Sequence, residues 1–313
     1  MTLSVFIDGG HGTTGLEIRD RLAERPEIAV IALDDDRRKD VDARLNALNE
    51  ADIAILCLPD DAARDAVAMV GDSNIKIIDA STAHRTEPGW TYGFPEWETG
   101  QRDAIANSNR VGNPGCYAQT FIALAHPLIL AGLLPADTRV SVNATSGYSG
   151  GGRAMIEEFE SGAAATAFRN YALPMQHKHL PEMQQHSGLD RQPLFSPSVA
   201  NLYRGMLVEI PLYLSQMRPG ATAEDIHSAL EDHYADSRLI TVLNDADAAA
   251  LDIVAIERCA ETDRMDIMVF ANSETGQVRL CAVLDNLGKG AAGAAVQNLN
   301  LMGGFDEYSG LRF

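Results

Sequence analysis

The sequence predicts an α/β protein in two parts: a parallel sheet wound by helices, then an α+β region with longer strands. Three observations predict it. Short apolar runs alternate with helical patterns up to about residue 113. A glycine-rich turn stands between the first run and the first helix. Beyond residue 113 the strand candidates lengthen and alternate apolar with polar, which suits an antiparallel or mixed sheet with one face on helices.

In order, Leu3–Ile7 reads as a strand, residues 9–15 as a turn, and Leu16–Glu24 as an amphipathic helix ended near Pro26. Ile28–Leu33 and Asp52–Leu58 are further buried strands; Pro59 opens a helix through Val70, and Ile75–Asp79 is the fourth strand. Short strands separated by helices imply right-handed crossovers and a Rossmann-type beginning. A long apolar helix over Tyr117–Leu134 follows, then strand candidates at Arg139–Ala144, Met206–Leu214, Ile253–Cys259, Met265–Asn272 and Gln277–Leu284. The tail Gly290–Met302 reads as a small-residue helix able to pack closely. If that helix returns to the first sheet, the domains are 1–113 plus 288–313, and 114–287.

The chain of 313 residues is 46% hydrophobic and 22% charged, enough for a proper core. Its formal charge of −19 argues against a nucleic-acid surface and against anionic membranes. An anionic substrate therefore needs a locally basic pocket. The start carries no basic leader, and the apolar stretch Phe121–Leu134, broken by His126 and Pro127, is too short to span a bilayer. Four scattered cysteines without a CxxC pair fit a reducing cytoplasm; Cys57, Cys259 and Cys281 fall in strand patterns, as buried cysteines do.

Gly9, Gly12 and Gly15 let the backbone approach a pyrophosphate at a helix N-terminus, with His11, Thr13 and Thr14 in the same cradle. After the second strand, Asp34, Asp35 and Asp36 suit the ribose hydroxyls of NAD, whereas Arg37 and Arg38 suit the 2′-phosphate of NADP. Residue types there leave both cofactors open. Asn113-Pro114-Gly115-Cys116-Tyr117-Ala118 sets a cysteine at the start of the long helix, where helix N–H groups favour the nucleophilic thiolate. His177-Lys178-His179-Leu180-Pro181-Glu182 crowds two histidines that can move a proton, with His177 slightly preferred as the acid/base. A metal site is not expected, since no companion ligand pattern accompanies the HxH pair. Ser146, Ser149, Gly150 and Arg153 lie in a Gly-rich, hydroxyl-bearing segment that can form an anion nest. Ser81 and Arg85 follow the fourth strand, where a Rossmann sheet opens its crevice.

Taken together, these motifs resemble the N-acetyl-gamma-glutamyl-phosphate reductase family. They are GxxGxxG at Gly9–Gly15, DxSxxxR at Asp79–Arg85, YGFPE at Tyr92–Glu96, NPGCYA at Asn113–Ala118, HxHxPE at His177–Glu182, and the closing NLGKGAAGAAVQNLN. The short chain and SGYSGGGR resemble its shorter, type 2 subgroup within the wider semialdehyde-dehydrogenase group. The resemblance implies a Rossmann-type NADP-binding domain plus an α+β catalytic and dimerisation domain, NADP(H) as cofactor, and a homo-oligomer acting on a small acyl phosphate in arginine biosynthesis. It implies Cys116 as nucleophile and the pair His177/His179 as acid/base, with Ser81 on the cofactor side. Arg85, Asn113, Ser146, Ser149, Gly150, Arg153 and Glu182 become the substrate or phosphate contacts. His84 departs from the pattern, standing where longer relatives have an aromatic residue. Alternatives are an aspartate-semialdehyde dehydrogenase, a non-catalytic NADP(H)-sensing regulator and a cysteine hydrolase.

Overall fold

The computed structural model describes residues 2–34, 36–71, 73–164 and 166–313. Asp35, one of the expected acidic residues after the second strand, lies outside them. The chain divides into two compact units, Met1–Gly115 with Ala291–Arg312, and Cys116–Gly290 with Phe313.

The first unit begins with β1 (Leu3–Asp8), α1 (Thr13–Leu22), β2 (Ile28–Ile31), α2 (Val41–Glu50), β3 (Ile53–Leu56), α3 (Asp60–Val70) and β4 (Lys76–Asp79). It continues through β5 (Thr91–Tyr92), α4 (Gln101–Ala106) and β6 (Arg110–Gly112). The six strands form one parallel sheet in the order β2-β1-β3-β4-β6-β5. Strand periodicity sends alternate residues to opposite faces. Val5, Ile7, Ile53, Ile55 and Ile78 therefore share one core with Ile18 and Leu22 of α1. Phe6, Ala54, Leu56 and Ile77 join Leu48 of α2 and Ala63 and Ala66 of α3 on the other face. The order reverses between β1 and β3, and such a switch point is where doubly wound sheets receive ligands.

The second unit holds α5 (Cys116–Leu130), β7 (Ser141–Gly147), α6 (Gly152–Glu160), β8 (Phe168–Asn170), α7 (Leu180–Ser187), β9 (Leu194–Ala200) and β10 (Met206–Tyr213). Then come α8 (Ala223–Tyr234), β11 (Ile240–Val242), α9 (Asp245–Ala249), β12 (Met265–Asn272) and β13 (Gln277–Leu284). Its sheet runs β11-β12-β13-β10-β7-β9-β8 and is mixed, with β7–β9 and β11–β12 parallel. Along β10, Met206, Val208, Ile210 and Leu212 are buried, while Pro211 and Tyr213 are exposed on the other face. That outer face carries a hollow of about 680 Å³ lined by Arg139, Ser141, Pro211, Tyr213, Gln277 and Arg279 among others. The chain then winds through a wide π-turn, Gly288–Ala292, into α10 (Gly293–Gly303). Ala295, Val296 and Leu299 of α10 complete the α1 face of the first unit's core.

Two expectations change. Ile253–Cys259 is not a strand: its N–H groups close successive short turns, Arg258 to the Ala255 carbonyl and Ala260 to the Glu257 carbonyl, and Ile253 is exposed. Cys259 is thus buried in a turn rather than a strand, and Cys57 sits just past the end of β3. The long helix, expected over Tyr117–Leu134, runs Cys116–Leu130 with Pro127 inside it and stops just before Gly132 turns to φ +66°. Proline removes the donor for the Ala123 carbonyl, and the Tyr234 hydroxyl of α8 donates to that oxygen at 2.9 Å. Among the described residues no helix is long and apolar enough to cross a membrane.

Candidate functional site

In the first unit the glycine turn between β1 and α1 is built for close approach. Gly9 has φ +84°, and a Cβ there would stand 2.3 Å from the Cys57 carbonyl oxygen. At Gly15 a Cβ would lie 2.5 Å from the Gly9 carbonyl oxygen, so the first turn of α1 presses onto the loop. Gly12 caps α1 without a side-chain hydrogen bond, and the first turn has no acidic residue. That leaves the positive end of the helix to an anion. His11, Gly12, Thr13 and Thr14 are half-buried around it. These residues fit the pyrophosphate of a dinucleotide. Arg37 and Arg38 lie exposed in the turn after β2, where the Arg37 N–H donates to the Asp34 carbonyl.

Sequence reasoning missed how the rim of this sheet is held. Asp8, at the end of β1, is buried and takes two N–H groups of Arg44 at 2.7 and 3.1 Å. Asp79, at the end of β4, accepts from the Ser81 N–H at 2.9 Å and the Ser81 hydroxyl at 2.7 Å. Its Oδ2 also lies 2.6 Å from His84 Nδ1, and the His84 ring stacks on Trp90 at 4.1 Å. Ser81 therefore braces the loop through its hydroxyl. Arg85, buried, donates to the carbonyls of Asn113 at 2.8 Å and Ala80 at 2.9 Å. Asn113 donates to the Ala291 carbonyl at 3.1 Å and accepts from Asn298 of α10 at 3.0 Å. Burial, reinforced by the charges of Asp79 and Asp8, pushes the Cys57 thiol up to about 12.

In the second unit Cys116 is the first residue of α5 and is half-buried. Its carbonyl accepts from the Thr120 hydroxyl one turn on, at 2.7 Å. The next residue, Tyr117, meets both histidines edge-on, with ring centroids 6.0 Å from His177 and 6.1 Å from His179. The two imidazoles are 4.7 Å apart, and Tyr171 and Phe195 complete a ring cage around His177. Two segments distant in sequence are thus brought to the first turn of α5. His177 is partly exposed, whereas His179 is buried as the N-cap of α7. Glu182 lies buried in the first turn of α7. Burial pushes the Tyr171 hydroxyl up to about 12 and the Tyr117 hydroxyl up as well.

The glycine- and serine-rich segment divides. Ser146 is buried and donates to the Gly147 carbonyl at 2.9 Å. Ser149 is buried, donates to the Tyr203 carbonyl and accepts from Asn286 at 2.8 Å. Gly150 is exposed, and Arg153 projects into solvent in an ion pair with Glu157 at 2.8 Å. Lys289, fully buried, was not singled out, although it stands in the closing motif. The cage residue Tyr171 carried no sequence signal. Among the described residues no group of three or more His, Cys, Asp or Glu could hold a metal ion.

The family described as semialdehyde dehydrogenase, NAD binding domain, matches residues 4–108. The semialdehyde dehydrogenase dimerisation domain matches residues 116–286. A protein of Brucella ovis (strain ATCC 25840 / 63/290 / NCTC 10512) named N-acetyl-gamma-glutamyl-phosphate reductase is 50% identical over 308 residues, covering 96% of this chain and 99% of its own. Its counterpart of the same name in Brucella melitensis biotype 2 (strain ATCC 23457) matches to the same extent. Among solved structures, aspartate semialdehyde dehydrogenase II of Vibrio cholerae superposes with TM-score 0.74 at 18% identity, covering 96% of this chain and 98% of its own. The aspartate semialdehyde dehydrogenase of Candida albicans with NADP gives 0.68 at 14% identity, covering 97% and 99%. At such identities these two speak for the fold.

Proposed function

The chain belongs to the semialdehyde dehydrogenase family, and from that membership we propose that it reduces N-acetyl-gamma-glutamyl phosphate to N-acetylglutamate semialdehyde, releasing phosphate, in arginine biosynthesis. The relatives named for this activity, 50% identical nearly end to end, support the substrate. The observation that carries the chemistry is a cysteine opening α5 with two histidines packed on the adjoining tyrosine.

In this reading His177 takes the thiol proton of Cys116, and the thiolate attacks the γ-acyl carbon. The C–S bond forms as the bond to the phosphate oxygen breaks, and phosphate leaves with that electron pair and the proton. A thioester accepts hydride where a carboxylate resists it. NADPH, when bound, supplies the hydride that reduces the thioester carbon. The α5 N-terminus stabilises the developing oxyanion, since its first N–H groups have no partner within the helix. Collapse then expels the Cys116 thiolate and frees the semialdehyde, and a proton taken up from solvent through His177 restores the thiol. One proton is consumed per turnover.

The cradle of Gly9, His11, Gly12, Thr13, Thr14 and Gly15 would hold the cofactor pyrophosphate, and Arg37 and Arg38 the 2′-phosphate that favours NADP. Arg85, Asn113 and Ser81 shape the rim of that crevice, with Ser146, Ser149, Gly150, Arg153 and Glu182 as the remaining candidates for substrate contact. The open face of the mixed sheet, within the region matching the dimerisation domain, supports a homo-oligomer. Four cysteines outside any disulfide suit a reducing cytoplasm.

The test is the reverse reaction. Purified protein, N-acetylglutamate semialdehyde, inorganic phosphate and NADP are mixed and NADPH absorbance is followed. Phosphate-dependent NADPH formation is expected. A signal with aspartate semialdehyde alone replaces the substrate, and silence with both removes the reading.

A further inference from the structure

The turn that links β13 to the closing helix presses on the nucleophile. A Cβ built at Gly290 would stand 2.9 Å from the Cβ of Cys116, closer than real carbons pack. It would also lie 3.1 Å from the Asp285 carbonyl oxygen and 3.2 Å from a Leu284 methyl. Gly290 does not need a left-handed backbone, since it is not among the positive-φ glycines. What the position demands is the missing side chain.

The turn itself is fixed from several sides. Asp285, fully buried, accepts the Leu287 N–H at 2.7 Å and the Gly288 N–H at 3.1 Å through one carboxylate oxygen. The other oxygen accepts the Glu261 N–H at 2.6 Å and pairs with Arg204 at 3.3 Å. The Gly290 N–H donates to the Asp285 carbonyl at 2.9 Å. Asn286 accepts from the Gly205 N–H at 2.9 Å and donates to the Ser149 hydroxyl at 2.8 Å. A backbone held by this many charge-assisted and buried hydrogen bonds yields little when pushed.

We infer that residues 285–290 form a rigid stop that sets the position of Cys116, with Gly290 the contacting residue and Ser149, Asn286 and Asp285 its anchors. Gly290 is a positioning residue. It acts by keeping the cysteine Cβ, and hence the sulfur, where the first turn of α5 presents it. A side chain at 290 displaces the sulfur by a fraction of an ångström, and nucleophilic attack is sensitive to displacements of that order. The inference rests on the reading of Cys116 as the nucleophile.

The experiment is a cycle of Gly290→Ala and Cys116→Gly, read by thermal unfolding, together with steady-state kinetics of Gly290→Ala. Overpacking is expected to lower Tm by a few degrees in the wild-type background. More than half of that penalty should vanish in the Cys116→Gly background, where the opposing Cβ is gone. In the reverse reaction kcat should fall by about 10–100-fold while KM for NADP and for the semialdehyde hold within about twofold. An equal Tm penalty in both backgrounds, or an unchanged kcat, overturns the inference. Should Gly290→Ala not fold, Asn286→Ala loosens the same turn: kcat falls severalfold with KM unchanged, and an unchanged kcat again overturns it. If the wild type shows no phosphate-dependent turnover, the proposed function fails on its own. The thermal cycle then still decides whether the stop acts on Cys116.

Discussion

The backbone N–H of His179 donates to Nδ1 of His177 at 3.1 Å. An accepting Nδ1 places the hydrogen of the neutral His177 ring on Nε2. His177, the more exposed of the two, is held by this bond from the His179 main chain, and in the proposed mechanism its Nδ1 gives up the His179 N–H as it takes the thiol proton. His177→Gln is expected to lower kcat by about 100–10,000-fold and to remove a limb of the pH profile. His179→Gln keeps the orienting N–H and should cost far less. Equal losses in the two variants contradict this division of roles.

Cys116 is expected to be the single reactive thiol. Burial pushes Cys57 and Cys281 up to about 12 and Cys259 up to about 11, with neighbouring carboxylates adding to each. At pH 8 those three are thiolate to about one part in a thousand or less, and the thiolate is the form that alkylates. Brief iodoacetamide treatment of the folded protein followed by peptide mass mapping should label Cys116 alone. Labelling of Cys281 at a comparable rate counts against the account.

The same groups set an alkaline limit on stability. Their folded pKa values lie above the unfolded ones, as does that of Tyr171 at about 12. Below about pH 8.5 both states hold these protons and the stabilising preference is fully present. As pH rises further the unfolded chain loses protons that the folded chain keeps, so stability falls towards pH 11–12. Tm should be level to about pH 8.5 and then decline, and Cys57→Ala should make the decline shallower. A level Tm up to pH 11, or an identical slope in the variant, contradicts the assignment.

Arg37→Ala and Arg38→Ala test the cofactor proposal. A charge-assisted contact to a phosphate contributes about 1.5–3 kcal/mol, so KM for NADP should rise by about 10–100-fold while that for NAD changes little. Parallel loss with both cofactors removes the 2′-phosphate assignment.

The parallel sheet was legible because β1, β3 and β4 are short apolar runs bounded by Gly, Pro or Asp, and their alternate residues do fill two separate cores. Other elements obeyed tertiary partners. β9, which no strand candidate covered, carries Pro197 and two serines, yet it pairs with β7 and β8 on its two sides. Ile253–Cys259 has the apolar content of a strand but folds as turns, with the nearby Glu261 N–H held by Asp285. In α5 the Ala123 carbonyl that Pro127 leaves without a helical donor accepts from a tyrosine on another helix. In the proposed site, residue type and spacing single out Cys116 and the histidine pair, and the fold packs both histidines on Tyr117 beside that cysteine. The Tyr117–Tyr171–Phe195 cage and the Gly290 contact join residues far apart in sequence, so only the folded chain reveals them. Ser81, Ser149 and Arg85 also brace loops, holding Asp79, the Tyr203 carbonyl and the Ala80 and Asn113 carbonyls, contacts that residue type alone does not reveal.

The central claim is that catalysis passes through an acyl thioester on Cys116. It is tested most directly by mixing the protein with N-acetylglutamate semialdehyde and NADP in the absence of phosphate, quenching in acid and mapping the peptide that carries Cys116. The account predicts a burst of NADPH equal to the active sites, with the N-acetylglutamyl group attached to Cys116 and released on adding phosphate. Full turnover without a Cys116 adduct, or the same burst from Cys116→Ser, would contradict it.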